Sequence, residues 1–129
     1  MVVDASAVIE VLRNTPKGEA VADRIADAGG RFHAPHLLDI EVTNGLRRLC
    51  VYGDFHPEQG LQMLDLLNAM RIVRHPHGDL LARVWHLRNT VKSYDALYIA
   101  LAELLDVPLV TTDGKLAKAH GHTARIELL

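Results

Sequence analysis

The chain has 129 residues, of which 49% are hydrophobic and 23% are charged, and its net charge is −2 with histidine neutral. This length fits one domain with a sizeable core, so residues 1–129 are expected to form a single domain. The near-neutral charge excludes a generally basic nucleic-acid-binding protein and leaves only a local basic rim for such a partner. The single cysteine is typical of a reducing compartment. With no signal-peptide pattern and no apolar run of membrane length, the sequence predicts a cytoplasmic protein with no membrane association.

Strand and helix patterns alternate along the chain. In order, the sequence predicts a strand at 1–4, helices at 6–13 and 18–30, a strand at 31–34, helices at 36–53 and 57–70, a strand at 71–75, helices at 79–89 and 92–104, a strand at 108–112, a helix at 114–120 and a strand at 124–128. Short segments rich in glycine and proline separate them, and none is long enough for an interdomain linker. This alternation predicts an α/β fold with a mostly parallel sheet covered on both faces.

Acidic residues stand at the ends of these elements. Asp4 and Asp113 follow two apolar strands at their carboxyl ends, where open α/β sheets form their sites. Asp95 stands near the start of the helix that begins around Lys92, and Ser93 is expected to be its N-cap. Glu41 lies about one turn into its own helix. Two strand ends and two helix starts therefore each offer one carboxylate.

Each acid also has a simpler interpretation. Asp4 and Asp113 can cap the helices that follow them, Asp95 can interact favourably with a helix dipole, and Glu41 can be a solvated surface residue. The expected convergence of the four favours a shared site. Two carboxylates about 4–5 Å apart repel each other by roughly 4 kcal/mol at an effective dielectric constant near 20, so a group of four favours a bound cation.

Oxygen ligands of this kind suit Mg²⁺ or Mn²⁺. Such an ion lowers the pKa of a bound water and neutralises charge on a phosphoryl oxygen. Three hydroxyl side chains near the acids are candidates to orient them by hydrogen bonds: Ser6, Thr111 and Thr112.

Three ordered segments, "VVDASAVIEVL", "APHLLDIEVTNGLRR" and "SYDALYIALAELLDVPLVTTDGKLA", resemble the PIN-domain ribonucleases, and more narrowly the VapC-type toxins of bacterial toxin–antitoxin pairs. The resemblance covers nearly the whole chain. It implies a PIN-like three-layer α/β/α sandwich with a mostly parallel central sheet of four to five strands. It also implies metal-dependent cleavage of RNA by an acidic cluster. The catalytic acids of the family fall on Asp4, Glu41, Asp95 and Asp113, with Asp4, Asp95 and Asp113 as ligands of Mg²⁺ or Mn²⁺.

The resemblance further implies a cognate antitoxin, which would restrain a harmful nuclease, and a homodimer. The apolar residues of the first two helices are expected to offer a groove for the antitoxin: Ala7, Val8, Val11, Leu12, Val21 and Ile25. The segment 37–52 is the expected dimer interface.

Basic residues expected near the site are Arg47, Arg48, Arg88, Lys92, Lys115 and Lys118. Arg88 and Lys92 are the leading candidates for binding RNA phosphates, because they immediately precede the helix that contains Asp95. With few aromatic residues and a low net charge, affinity for RNA is expected to be modest and sensitive to salt.

Other functions remain open at the level of sequence. A receiver-like signalling domain has a similar size and pattern, with Asp54 as its phosphoacceptor and Lys115 as its late lysine. A haloacid-dehalogenase-type phosphatase needs a second acid two residues after Asp4, where this chain has Ser6. A non-catalytic PIN-like binding module would not need all four acids. Paired histidines also raise the hypothesis of a zinc site, which the lack of further thiols disfavours.

Overall fold

The computed structural model describes all 129 residues as five strands and seven helices. In chain order these are β1 (Val2–Val3), α1 (Ala5–Leu12), α2 (Pro16–Asp27), β2 (Phe32–Pro35), α3 (Leu37–Val51), α4 (Pro57–Ala69), β3 (Ile72–His75), a 3₁₀ turn (Gly78–Leu80), α5 (Leu81–His86), α6 (Ser93–Leu105), β4 (Leu109–Thr111), α7 (Gly114–Ala117) and β5 (Ile126–Leu128). The predicted α/β fold is confirmed. No helix is long and apolar enough to cross a membrane.

The five strands form one parallel sheet in the order β3-β2-β1-β4-β5. β1 is central, and Val2 lies opposite both His33 of β2 and Leu109 of β4. From β1 the chain builds the sheet first toward β3 and then returns to add β4 and β5 on the other side. Right-handed crossovers therefore place α1–α4 on one face and α5–α7 on the other. The strand order reverses between β1 and β4, so a crevice is expected beyond their carboxyl ends.

The core is built from the strands and from α6. Val2 and Val3 of β1 are fully buried, as are Leu109 and Val110 of β4. In α6, seven consecutive residues are buried, from Ala96 to Ala102. Three of these seven are alanines, which allow the helix to pack closely against the sheet on one side and α5 on the other. This packing fixes the amino end of α6 relative to the ends of the strands.

Two predicted helices differ from the structure. The helix predicted at 79–89 is divided into the 3₁₀ turn and α5, because Leu80 enters the core through a tight turn in which its N–H donates to the carbonyl of His77. The helix predicted at 114–120 ends at Ala117, within one turn. Short helices are marginal on their own, so packing decides where they begin and end. In the 3₁₀ turn and α7 the buried residues are Leu80 and Leu116.

Most of the apolar residues predicted to form an antitoxin groove on α1 and α2 are not accessible to a partner. Five of the six are buried where these helices pack against each other and the sheet, and only Val11 is partly exposed. Gly18 makes the close approach possible, because a Cβ atom at this position would lie 2.1 Å from the carbonyl oxygen of Glu10. These residues therefore form part of the core.

We expect Gly18→Ala to lower the free energy of unfolding by about 1–3 kcal/mol, because the added methyl group forces the backbones of α1 and α2 apart. Gly60→Ala in α4 is the matched control. There the nearest atom, from the ring of Phe55, would be 3.4 Å from the new Cβ, so the better helix former should raise stability by about 0.4–1 kcal/mol. Urea denaturation of both variants measures the difference, and an unchanged Gly18→Ala midpoint would contradict the close packing.

Candidate active site

The four predicted acids line one cavity of about 260 Å³ at the carboxyl ends of β1 and β4. Asp4 follows β1, Glu41 lies on the second turn of α3, Asp95 is near the start of α6, and Asp113 follows β4. Four separate elements thus each contribute one carboxylate. The cavity occupies the crevice that the reversal of strand order creates.

Asp4 is the most constrained of these acids. It is buried and caps α1, with the Ala7 N–H donating to Oδ1 at 3.0 Å. The hydroxyl of Thr111 donates to Oδ2 at 2.7 Å, and that of Ser6 donates to the carboxylate at 2.8 Å. Burial raises the pKa of Asp4, these hydrogen bonds oppose the increase, and the nearby Asp113 adds to it.

Ser6 and the two threonines link the acids at the strand ends. Thr111 donates to Asp4 and accepts a hydrogen bond from the Asp113 N–H at 3.0 Å, so one hydroxyl contacts both. The N–H and hydroxyl of Thr112 both lie 3.1 Å from the Ser6 oxygen. Thr112 therefore acts on the acids only through Ser6. All three hydroxyl residues predicted from the sequence lie in this network.

Asp113 is the N-cap of α7, where its Oδ1 accepts a hydrogen bond from the Lys115 N–H at 2.8 Å. Its Oδ2 accepts none from the protein. The carboxylate is partly buried beside the cavity. One oxygen thus stabilises the short helix while the other remains available to a ligand.

Asp95 is the third residue of α6, one position deeper than predicted. The prediction of Ser93 as N-cap is wrong. Lys92 has the extended backbone conformation of the cap, and its carbonyl accepts the first helical hydrogen bond, from Ala96 at 2.8 Å. Burial raises the pKa of Asp95, as does the charge of Asp113, whereas Lys92 lowers it.

Glu41 has a partner that the sequence did not reveal. The hydroxyl of Tyr98, one turn after Asp95 on α6, donates to Glu41 Oε2 at 2.5 Å. Burial raises the pKa of Glu41, this hydrogen bond lowers it, and the charges of Asp95 and Asp4 raise it. The pKa of Tyr98 lies far above its ordinary value, mainly through burial and the adjacent carboxylate, so Tyr98 remains a donor. No role for Tyr98 was predicted from the sequence.

The cavity has an excess of negative charge without direct compensation. The three ion pairs of the protein join Arg24 to Glu127, Arg74 to Asp39 and Arg83 to Glu103, and none includes a cavity acid. No three acidic, histidine or cysteine side chains are close enough to form a ready-made metal cluster. The four acids line one cavity, but their carboxylates do not converge on a single point within it. Their all-oxygen donor set fits a hard divalent cation, which would favour the ionised forms of the carboxylates. Burial, which raises the pKa of Asp4, Glu41 and Asp95, leaves these three acids with the most to gain from such an ion.

The residues predicted to bind RNA lie outside this cavity. Arg88 stacks over the ring of Trp85 at 4.9 Å and donates to the Trp85 carbonyl. Lys92 is exposed at the start of α6 and is close enough to affect Asp95 electrostatically. The basic residue that does line the cavity is Arg48, from the last turn of α3. Arg48 was one of the six basic residues expected near the site. Its position two helical turns after Glu41 is a sequence signal that could have singled it out.

The structure also shows where the residues of the receiver and zinc-site hypotheses lie. Asp54, the phosphoacceptor of the receiver hypothesis, lies in the turn after α3 and follows no strand. Among the histidines of the zinc hypothesis, His33 and His75 contact each other across β2 and β3 at 2.9 Å, and His77 accepts a hydrogen bond from the Leu37 N–H. These contacts join neighbouring strands and turns.

The fold and its cavity define an α/β protein with a polar site at the carboxyl ends of parallel strands. The model of the PIN domain matches residues 1–121, and the chain belongs to the PIN-domain family. It is 40% identical to Ribonuclease VapC12 of Mycobacterium tuberculosis over 129 residues, covering 100% of this chain and 98% of that protein. It is 43% identical to Ribonuclease VapC1 of the same organism over 130 residues, covering 99% of this chain and 96% of that protein.

A solved structure supports the fold. The crystal structure of PAE2754 from Pyrobaculum aerophilum superimposes with a TM-score of 0.67 at 24% identity, over 97% of this chain and 81% of that one. The fold is therefore confirmed, and the match of the PIN-domain model confirms the family predicted from the sequence.

Asp95→Asn tests the electrostatic cost of the cavity. Because the folded-state pKa of Asp95 is raised, the unfolded chain loses this proton first as the pH increases above about 4, and stability falls until the folded state has also lost it. We therefore compare the melting temperatures of Asp95→Asn and the wild type in the presence of a chelator. We expect the difference, variant minus wild type, to increase by a few degrees between pH 3 and pH 7. Asp65→Asn, at an exposed position of α4 outside the cavity, is the control, and an equal increase there would contradict a local origin.

Tyr98→Phe tests the hydrogen bond to Glu41. Loss of the hydroxyl removes the interaction that lowers the Glu41 pKa, so this carboxyl should titrate at a higher pH. Carboxyl carbon NMR shifts followed through a pH titration measure the change. Tyr94→Phe, on the same helix at a position that is 64% exposed, is the matched control. An unmoved Glu41 titration in Tyr98→Phe would show that the contact does not control this acid.

Proposed function

We propose that this protein is a divalent-metal-dependent endoribonuclease that acts as the toxin of a toxin–antitoxin pair. The observation that supports it most is the cavity at the strand reversal, where four elements each contribute a carboxylate and no arginine or lysine forms an ion pair with them. Relatives that span the whole chain are named ribonucleases, which supports RNA as the substrate. With RNA as substrate, the protein acts in the cytoplasm.

Asp4, Asp95 and Asp113 are the proposed ligands of Mg²⁺ or Mn²⁺. When bound, the ion activates water and neutralises negative charge on a phosphate oxygen. Thr111 and Ser6 hold the Asp4 carboxylate in one orientation, so little motion is lost when a ligand binds. Asp113 keeps one oxygen free of hydrogen bonds, which leaves it available to the same ligand.

Glu41 is the proposed proton acceptor. Its carboxylate is held by Tyr98, and its raised pKa brings it closer to the neutral range where a general base works best. Water attacks the phosphorus in line and loses its proton to Glu41, while the bond from phosphorus to the 3′ oxygen breaks and this oxygen takes up a proton from solvent. The products of this route are a 5′-phosphate and a 3′-hydroxyl. With low net charge and few aromatic residues, cleavage is expected at a few exposed single-stranded sites of structured RNA.

The partners of the proposed toxin are a cognate antitoxin and a second copy of the chain. The expected dimer segment 37–52 lies on α3 and its C-cap, where Ile40 is 69% exposed and Val51 is 71% exposed. Exposed apolar side chains of this size suit burial in a protein interface. Because the apolar residues of α1 and α2 are mostly buried, the antitoxin must bind another surface.

Asp4→Asn separates metal binding from helix capping, because asparagine is as good an N-cap as aspartate. We expect calorimetry with Mn²⁺ to show strongly weakened binding in this variant with its helical content unchanged. Thr111→Val, which removes the donor to Asp4, should lower affinity by about 10- to 100-fold. Thr43→Val on the exposed side of α3 is the control. Equal Mn²⁺ affinity in wild type and Asp4→Asn would exclude Asp4 as a ligand.

The reaction is tested on a mixed RNA pool by mapping the new ends. Wild-type protein with Mg²⁺ or Mn²⁺ should give 5′-phosphate and 3′-hydroxyl ends at few positions, and Asp95→Asn should give none while remaining folded. Ends with a 2′,3′-cyclic phosphate would identify the 2′-hydroxyl as nucleophile and contradict the water route. Cleavage in excess chelator would contradict the metal requirement, and digestion to short fragments would contradict the selectivity.

A further inference from the structure

A second cavity, of about 500 Å³, adjoins the acidic one. It lies between the carboxyl-terminal ends of α1 and α3, and we call it the arginine pocket because Arg13 and Arg48 line it. Its volume is within the range of sites that hold small organic molecules, about 300–1,000 Å³. The two cavities share five lining residues: Ser6, Ile9, Gly45, Arg48 and Asp113. A chain that leaves the acidic cavity can therefore enter the arginine pocket directly.

The arginines of this pocket have no acidic partner within the protein. The three ion pairs engage Arg24, Arg74 and Arg83. Two acids, Glu10 and Asp113, also line the pocket, but neither forms an ion pair, and Glu10 accepts a hydrogen bond from the Thr15 hydroxyl. Arg13 and Arg48 therefore keep guanidinium groups free for an anion, and the planar guanidinium binds phosphate through two parallel hydrogen bonds.

Tyr52 gives the pocket an aromatic edge. It is the C-cap of α3 and is 84% exposed, the most exposed large apolar side chain of the protein. At the edge of the pocket, this exposed ring is accessible to a ligand that enters it. Aromatic rings beside arginines are the surfaces on which unpaired bases stack.

We propose that the arginine pocket binds the single-stranded RNA segment next to the cleaved phosphate. Arg48, which lines both cavities, contacts the phosphate nearest the acids, Arg13 contacts the next one, and the ring of Tyr52 stacks on a base. This inference rests on the proposed ribonuclease function. It assigns the RNA contacts to Arg13, Arg48 and Tyr52 in place of Arg88 and Lys92. Within the expected dimer segment 37–52, it leaves the exposed Ile40 and Val51 for contact with a second copy of the chain.

The test is binding of a short, unstructured RNA oligonucleotide of mixed sequence, followed by fluorescence anisotropy in excess EDTA so that no cleavage occurs. Arg13→Gln and Arg48→Gln should each weaken binding and reduce the slope of log affinity against log salt by about 0.7, the value for one phosphate contact on a single strand. Tyr52→Ala should weaken binding by about 5-fold or more, and Tyr52→Trp should restore it.

The matched control for charge is Arg31→Gln. Arg31 is exposed and precedes β2, so it lies at the amino edge of the sheet, opposite the cavities. It should leave the affinity and the salt slope as in the wild type. Circular dichroism melting curves establish that all variants are folded. Equal losses in Arg31→Gln and Arg48→Gln, or undiminished binding in both pocket variants, would overturn the proposal. The proposal would also be overturned if only Arg88→Gln and Lys92→Gln reduced RNA affinity, or if the wild-type protein did not bind RNA.

Cleavage assays on the same proteins separate this proposal from the function on which it rests. If wild-type protein cuts RNA but Arg13→Gln and Arg48→Gln bind and cut as it does, the pocket assignment fails and the nuclease stands. If no divalent cation supports cleavage, yet RNA binding in EDTA depends on both arginines, the nuclease fails and the pocket stands. Asp95→Asn should retain RNA binding in EDTA while it loses cleavage.

Discussion

The carboxylate of Asp4 holds together the three elements that meet at the strand reversal. It accepts hydrogen bonds from the Ala7 N–H at the start of α1, from the Ser6 hydroxyl and from the Thr111 hydroxyl at the end of β4. These bonds stabilise the ionised form, while burial in the same place destabilises it. The position of every other acid follows from this arrangement, because Asp113 is bonded to Thr111 and the strand ends define the cavity that α3 and α6 complete.

Helix capping and ligand binding, which the sequence left as alternatives, are compatible with each other in Asp113. In Asp113 the capping bond occupies Oδ1 and leaves Oδ2 free. The capping role also explains how such a site can fold without a cation: the N–H groups of α1 and α7 hold two of the four carboxylates. The other two acids cap no helix. Glu41 accepts a hydrogen bond from Tyr98, and Asp95 is positioned by the buried residues of α6 that follow it.

Much of this fold could be predicted because it depends on local patterns. Apolar strands such as that of Val2 and Val3 and the buried run in α6 give the parallel sheet, and acids that directly follow strands fall at one edge of it. The resemblance to PIN-domain proteins assigned Glu41 to the same edge, and the structure places it in the same cavity.

Contacts between distant elements could not be predicted in this way. The Tyr98–Glu41 hydrogen bond joins residues 57 positions apart, and no pattern within either helix marks it. The arginine pocket likewise depends on how the ends of α1 and α3 approach each other. Ser93 illustrates a different failure: serine is a good cap by propensity, but the packing of α6 starts the helix one residue earlier, at a lysine cap. The apolar faces of α1 and α2 indicated hydrophobic contact correctly but could not show that the contact lies inside the domain.

The central claim is that the cavity acids bind a divalent cation in their ionised forms, and its most direct test is the melting temperature of the wild-type protein in excess Mn²⁺ relative to EDTA, measured at pH 7 and at pH 4. Ligand present at about 100 times its dissociation constant stabilises a folded protein by about 2.7 kcal/mol, which is several degrees for a chain of this size. The account predicts such an increase at pH 7 and a smaller one at pH 4, because the raised pKa values of Asp4, Glu41 and Asp95 favour their protonated forms more as the pH falls. An equal increase at both pH values, or none at pH 7, would contradict it.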